Sequence, residues 1–432
     1  MNNYIPNIPK TKNKRIVIVG GGFAGLKFLR KLLNKGFQII FIDRNNFHQF
    51  QPLLYQVATS GLEPSSISFP FRKILQKEKD VHFRIAELLE LNDKEKTIET
   101  NIGSLKYDYL VLAMGATTNF FGMDNIQKRA LSMKTASDAI LIRNTILQNF
   151  ESSLLESDES KISKYLNIVL VGGGPTGVEL AGAVAEMKRY IFPKEYPELD
   201  LSMMKIVLYE ASPSLLAGMS ENASSNALKY LKKLGVEVCL NSQVVDYIDD
   251  NLILKDGSSI ASKTVIWAAG VKVNALKGLH SNNYGRGNRI KVDRYNRVEG
   301  LDNVFALGDL CIMETPKYPN GHSQVAQPAI QQAVNLSDNI MRMRKWKKLK
   351  KFEYSDKGSM ATIGRNLAVA DLPSLKLKGF TAWVLWLFVH LMSIVGIKNR
   401  LMIFLNWLWS YFTYDQSLRV LIKPKLPPSQ NQ

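Results

Sequence analysis

Val19-Gly20-Gly21-Gly22-Phe23-Ala24-Gly25 follows the apolar run Arg15-Ile16-Val17-Ile18 and opens into Leu26-Lys27-Phe28-Leu29-Arg30-Lys31-Leu32-Leu33. The β-branched run reads as a buried parallel strand and the stretch beyond it as a helix. In such a turn Gly20 permits the tight bend and Gly22 lets the backbone approach a pyrophosphate. Gly25 lets helix and strand pack closely, and the helix N-terminus supplies positive partial charge for the phosphates. The pattern recurs about 150 residues on, as Asn167-Ile168-Val169-Leu170-Val171-Gly172-Gly173-Gly174-Pro175-Thr176-Gly177, with a helix-like run from Val178 to Ala185. Two copies with the same flanks imply two dinucleotides on one polypeptide. The expected class is α/β, with two Rossmann-like dinucleotide-binding domains.

The acids support this. After each turn a second apolar strand ends in a carboxylate, 18 residues past Gly25 and 33 past Gly177: Gln38-Ile39-Ile40-Phe41-Ile42-Asp43 and Lys205-Ile206-Val207-Leu208-Tyr209-Glu210. A carboxylate there accepts hydrogen bonds from adenosine ribose hydroxyls. Glu210 is followed by Ala211-Ser212-Pro213-Ser214, without Arg or Lys to receive a 2′-phosphate, so the second site is expected to prefer NADH to NADPH.

With 432 residues and 46% hydrophobic content, the chain has material for two or three cored domains. Its formal charge of +18 suits nucleic acid, an anionic membrane or solubility alone. Without an aromatic RNA-binding signature, zinc finger or helix-turn-helix pattern, nucleic acid is the weaker reading. Cys239 and Cys311 are isolated, which suits a reducing compartment and argues against dithiol chemistry. His48, His82, His280, His322 and His390 form no ligand spacing, so no metal is expected. The polar, basic start, Met1 to Lys14, is not a secretory signal.

The repeat extends beyond the turns. Tyr107 to Ala116 is an apolar strand ending near Gly115, and Thr264 to Gly270 is its counterpart. Asn303-Val304-Phe305-Ala306-Leu307-Gly308-Asp309 is a further strand ending in Gly-Asp. The expected domains are 14–125 and 289–345 for the first nucleotide, 126–288 for the second, and 346–432 at the C-terminus.

This layout resembles the flavoproteins with two dinucleotide-binding domains, in which Asp309 would bond the flavin's ribityl chain. The segment from Arg44 to Ala58 is too apolar for an exposed loop and lacks a clean period. That stretch, Gly308-Asp309 and Ala326-Gln327-Pro328-Ala329-Ile330-Gln331 closely resemble the type II NADH:quinone oxidoreductases, single-chain and non-pumping, from Lys14 to about Leu421. By spacing, Gln327 and Gln331 share one face of a helix starting near Pro328.

The resemblance implies hydride transfer from NADH to FAD, then two-electron reduction of a membrane quinone in a respiratory chain. It assigns FAD to Gly20, Gly22, Phe23, Ala24, Gly25, Asp43, Arg44, Leu88, Gly115, Asp309, Ala326, Gln327 and Lys378. NADH goes to Gly172, Gly174, Pro175, Thr176, Gly177, Glu210 and Gly270. Glu179 is placed near nicotinamide and flavin, and Gln327 and Gln331 at the quinone. Met114 departs from the Thr of many relatives. A sulfide:quinone oxidoreductase is the nearest rival, but its chemistry needs a reactive cysteine pair.

The tail sets the partner. Seven of the ten residues Arg342 to Lys351 are Lys or Arg, and Gly379 to Ile397 carries no Lys, Arg, Asp or Glu. That length approaches the ~20 residues of a transmembrane helix. In the next segment Asn399, Asn406, Ser410 and Thr413 make a polar stripe, and the other faces are apolar and aromatic, as in a helix lying in a membrane surface. Lys376, Lys378, Lys398, Arg400, Arg419, Lys423 and Lys425 flank these helices to grip anionic lipid, at roughly 1 kcal/mol each. The resemblance implies a monotopic anchor on the cytoplasmic side of the inner membrane. The alternative is a helix pair buried in a homodimer.

Overall fold

In the computed structural model, which describes residues 4–415 and 418–421, Ile16, Val17 and Ile18 are wholly buried. A strand covered on both faces must be apolar at every position. Along the chain the elements that position the sites are β1 (Arg15–Val19), α1 (Phe23–Leu32), β2 (Gln38–Asp43), α2 (Leu54–Ala58), β3 (Val81–Ile85) and β4 (Tyr109–Leu112). They continue as β5 (Leu131–Ser132), β6 (Ile168–Val171), α3 (Pro175–Tyr190), β7 (Ile206–Tyr209), β8 (Glu237–Cys239) and β9 (Thr264–Trp267). The last are β10 (Val304–Ala306), α4 (Ala326–Arg344), β11 (Ser359–Gly364), β12 (Leu367–Asp371), β13 (Lys376–Lys378), α5 (Phe380–Ser393) and α6 (Ile397–Thr413).

Two compact units result, each from three pieces of chain: 1–49, 69–117 and 271–357 in one, 50–68, 118–270 and 358–432 in the other. The first holds a parallel sheet of order β10-β4-β1-β2-β3. The second holds a parallel sheet of order β5-β9-β6-β7-β8. In both, the strand before the glycine turn is central and its neighbours lie to either side. Ligands of open α/β sheets bind at that reversal of strand order.

The expected limits near 125 and 288 move to 117/118 and 270/271. Core packing is the reason. Val273 and Leu276 join the first unit's core with Ile98, Leu105 and Val304, whereas Ile126 packs with Val169 and Trp267 in the second. The C-terminal segment begins nearer 358 than 346, because Phe352 belongs to the first core and residues from 358 cluster with the second unit. The apolar segment after Arg44 is also divided, with 50–68 in the second unit.

In the second unit β11, β12 and β13 form an antiparallel sheet that leads into α5 and α6. The uncharged run from Gly379 is not one helix. α5 ends at Ser393, and Gly396, at φ +87°, turns the chain before α6. Among the described residues no helix is long and apolar enough to cross a membrane.

Candidate functional site

The two glycine turns share one backbone plan. Gly20 and Gly172 sit at φ +104° and +112°, where a side chain is strained. Their N–H groups donate to Ile42 and Tyr209 carbonyls, each at 2.8 Å and each just before the strand-end acid. A Cβ on Gly25 would lie 1.8 Å from the Gly20 oxygen, and one on Gly177 1.9 Å from the Gly172 oxygen. At Gly22 and Gly174, by contrast, a Cβ would meet nothing within 4 Å. These are the positions where the backbone must be bare for a pyrophosphate, and they open onto the N-termini of α1 and α3. Both cradles fit a dinucleotide.

Each acid braces its own turn. Asp43 accepts the Gly21 N–H on Oδ2 at 2.6 Å and the Asn45 N–H on Oδ1 at 2.7 Å. Glu210 accepts the Gly173 N–H on Oε2 at 2.5 Å and the Ser212 N–H on Oε1 at 2.7 Å. Burial raises the Asp43 pKa against the lowering effect of the Asn45 and Gly21 amides.

Within the first unit, residues not singled out in the sequence complete the cradle. The buried His48 ring bonds the Gly21 carbonyl through Nδ1 at 2.8 Å and meets Phe23 edge-on, with ring centroids 5.6 Å apart. Buried Gln332 accepts the Gly308 N–H at 2.8 Å, holding Gly308 at φ +72°. Gln324 donates to the Asp309 carbonyl at 2.9 Å. Ala24 borders Gly308, and Ala326 and Gln327 begin α4. Gly115 follows β4 at φ +70° with open space around it. Arg44 is exposed, 3.7 Å from Glu87, and Leu88 lies against the core. Gln331 spends both ends of its amide on Ser355, donating to its carbonyl at 2.9 Å and accepting its N–H at 3.0 Å. Cys311 is a buried free thiol pushed up to about 12 by burial, so it carries little thiolate.

In the second unit, Pro175 and Thr176 follow the open Gly174 in the first turn of α3, and Gly270 turns at φ +75° against Phe121. Two residues past Gly177, Glu179 is 8% exposed. Its burial follows from Gly182, whose absent Cβ would lie 1.6 Å from the Ile363 oxygen. The bare helix face lets β11 press onto α3 and brings the Thr362 N–H to 3.4 Å from Glu179 Oε1. Burial pushes Glu179 up to about 8, against the opposing pull of the Thr362 amide and the Trp386 indole.

Glu179 opens on a cavity of about 100 Å³ lined by α2, α3, β11, α5 and α6. A hydrogen-bond chain runs along its wall: Trp407 Nε1 donates to Gln56 Oε1 at 2.8 Å, and Gln56 Nε2 to the Tyr55 hydroxyl at 2.8 Å. Trp386, 1% exposed, is held by His390, which bonds its carbonyl at 2.8 Å and stacks at a centroid distance of 4.0 Å. Burial lowers His390 to about 4, so that ring is neutral. The Trp386 Nε1–H lines the cavity on the side of the Glu179 carboxyl, near enough to lower its pKa but without a close hydrogen bond. A ligand oxygen entering beside Glu179 would give this donor a close partner.

The outer faces of the tail helices are apolar. On α5, Phe380, Val384, Phe388 and Met392 form one exposed stripe, and on α6 Leu401, Met402, Phe404, Leu405, Leu408, Trp409 and Phe412 are 44–73% exposed. The polar stripe of α6 turns inward instead, with Asn399 donating to the Ser65 and Ser66 carbonyls at 3.1 and 3.0 Å. Lys376, Lys378 and Lys398 are exposed. Two other expected lipid contacts are spent on the protein. Arg400 bonds the Ile394 carbonyl at 2.8 Å, and Arg419 pairs with Glu195 and Asp415. Lys423 and Lys425 lie outside the described residues. Among those described, no three His, Cys, Asp or Glu are grouped to hold a metal.

A family model of pyridine nucleotide-disulphide oxidoreductases matches residues 14–333, and one of the NDH2 C-terminal domain matches 357–413. The chain is 36% identical over 410 residues to the type II NADH:quinone oxidoreductase NdhA of Mycobacterium tuberculosis, covering 91% of this chain and 86% of that one. It is 32% identical over 421 residues to Ndh of the same organism, covering 93% and 89%. In fold it is similar to NDH2 of Plasmodium falciparum, solved with NADH, at a TM-score of 0.87 and 23% identity over 95% of this chain and 100% of that one. The sulfide:quinone oxidoreductase of Aquifex aeolicus follows at 0.71 and 17%, over 90% and 92%.

Proposed function

This chain belongs to the type II NADH:quinone oxidoreductases, and on that footing we propose that it oxidises NADH and reduces a membrane quinone through FAD. The observation that carries the reading is the duplicated glycine cradle with a buried acid, Glu179, two residues past the second copy. When bound, FAD supplies the two-electron step between hydride donor and quinone. The first cradle holds it through the bare backbone at Gly22, the brace of Asp43 and the Gly308–Asp309 turn. Glu210 meets the ribose of NADH in the second cradle and repels a 2′-phosphate.

Glu179 is the neutral acid at pH 7, positioned to hold or give a proton. The Trp386 N–H orients a quinone oxygen beside it. In the first unit, Gln327 at the start of α4 is proposed as an FAD and quinone residue on the family resemblance, and Gln331 serves by fixing the segment at Ser355. The exposed apolar faces of α5 and α6 lie in an anionic membrane surface, on the cytoplasmic side of the inner membrane, where the quinone tail never enters water. Sulfide chemistry is disfavoured because Cys239 lies in β8 of the second unit, while Cys311 is sealed in the first unit's core.

Steady-state NADH oxidation with a short-chain quinone, together with vesicle flotation, tests this. Turnover that depends on quinone and co-flotation with anionic vesicles are expected. NADH oxidation without quinone dependence would overturn the activity, and failure to float would overturn the docking.

A further inference from the structure

Glu186 is a second acid on the same cavity, seven residues past Glu179 on α3. Two helical turns separate them, about 10 Å along one face. Ala183, between them on the cavity wall, leaves that face open. Glu179 is sealed, whereas Glu186 keeps some contact with solvent. The buried Tyr55 hydroxyl lies within electrostatic range of both carboxyls. It accepts from Gln56, so its own O–H is left to donate. The cavity of about 100 Å³ that both acids line also has room for water.

Glu186 is held but not neutralised. Its Oε1 accepts the Arg365 N–H at 2.6 Å, while the Arg365 guanidinium turns to the Ser410 and Tyr411 carbonyls at 2.8 and 3.0 Å. Around the cavity the other titratable or charged groups are Glu179 from α3, Tyr55 from α2, Arg365 after β11 and Tyr411 from α6. The α5 side presents only Trp383, Trp386 and Leu387. Burial raises Glu186 as well, against the Arg365 amide and charge.

We propose that Glu186 is the solvent-side acid that reloads Glu179, with the Tyr55 hydroxyl and cavity water between them. This rests on the quinone-reductase reading. NADH delivers a hydride equivalent, two electrons and one proton, and quinol needs one proton more. Glu179 gives that proton to the quinone oxygen, Glu186 replaces it, and solvent replaces the proton of Glu186. The sum is NADH + H⁺ + quinone → NAD⁺ + quinol.

Glu186→Gln keeps an oxygen for the Arg365 N–H and removes the exchangeable acid. With saturating quinone, kcat is expected to fall about tenfold, below the ~10²–10⁴ of a direct general acid. Its decline with pH is expected to begin lower than in the wild type, and Glu186→Asp to restore part of the rate. NADH oxidation with ferricyanide, which takes electrons without protons, is expected to stay within about twofold. An unchanged kcat and pH profile with quinone overturns the relay. So does an equal loss with ferricyanide, which would assign Glu186 a structural role. Failure of the wild type itself to reduce quinone would instead break the underlying function.

Discussion

The two glycine turns have one backbone and two surroundings. Around the first, Gly21 is wedged against the Phe71 and Phe41 rings and its carbonyl is pinned by His48, which Phe23 edges. Around the second, Gly173 rests on Leu215 and Glu210, and the helix starts with an exposed Pro175. The helical position two residues past the last glycine differs as well: Lys27 is half-exposed on α1, while Glu179 is buried on α3. The common backbone serves a common ligand part, the pyrophosphate. The surroundings decide what happens to it: the ring-packed first turn suits a cofactor that stays, and the buried acid beside the second suits one that exchanges.

Closing either turn separates the roles most sharply. Gly25→Ala drives a methyl into the Gly20 oxygen, and the protein is expected to purify without flavin absorbance, having lost FAD by about 100-fold or more. Gly177→Ala makes the same clash in the second copy. It should leave a yellow protein whose NADH affinity drops by a similar factor, measured by titration. Flavin loss in both variants would mean that the two turns are not independent.

Glu179→Gln is next. Quinone reduction should fall by about 100-fold, as for a lost general acid, with flavin retained. The wild-type rate with quinone should decline above about pH 8, where Glu179 loses its proton. Stability follows the same group. Between its unfolded value of 4.5 and about 8 the native state binds the extra proton, so stability falls as pH rises through that window. A flatter melting-temperature profile in Glu179→Gln is the check.

His48→Ala removes the pin on Gly21 and is expected to weaken FAD by about tenfold, or about 1.4 kcal/mol, without changing the KM for NADH. The smallest effect belongs to Glu210→Gln, where the preference for NADH over NADPH should relax several-fold, about 1 kcal/mol. An unchanged ratio would remove Glu210 from the ribose.

The parts legible in the sequence were those that depend on local pattern. β-branched runs, glycine spacing and strand-end acids placed both cradles, because each is a short-range consequence of backbone geometry. His48, Gln332, Tyr55, Trp386 and Glu186 were not legible as site residues. Each becomes one by meeting a partner far along the chain, such as Gln332 at Gly308 or Trp386 beside Glu179. The interleaving of the units was hidden for the same reason. In α6 the apolar faces were visible, but periodicity does not say which face is buried. Here the polar stripe packs inward and the apolar residues face out, the reverse of a helix on an aqueous surface. Arg419 looked like a lipid contact and is an internal ion pair.

Anaerobic titration of desalted protein tests most directly whether one turn keeps its nucleotide while the other exchanges. The flavin should stay with the protein through desalting, one equivalent of NADH should bleach it, and one equivalent of quinone should restore it. Loss of colour on desalting, or a flavin that NADH leaves unchanged, would contradict the division of roles between the two turns.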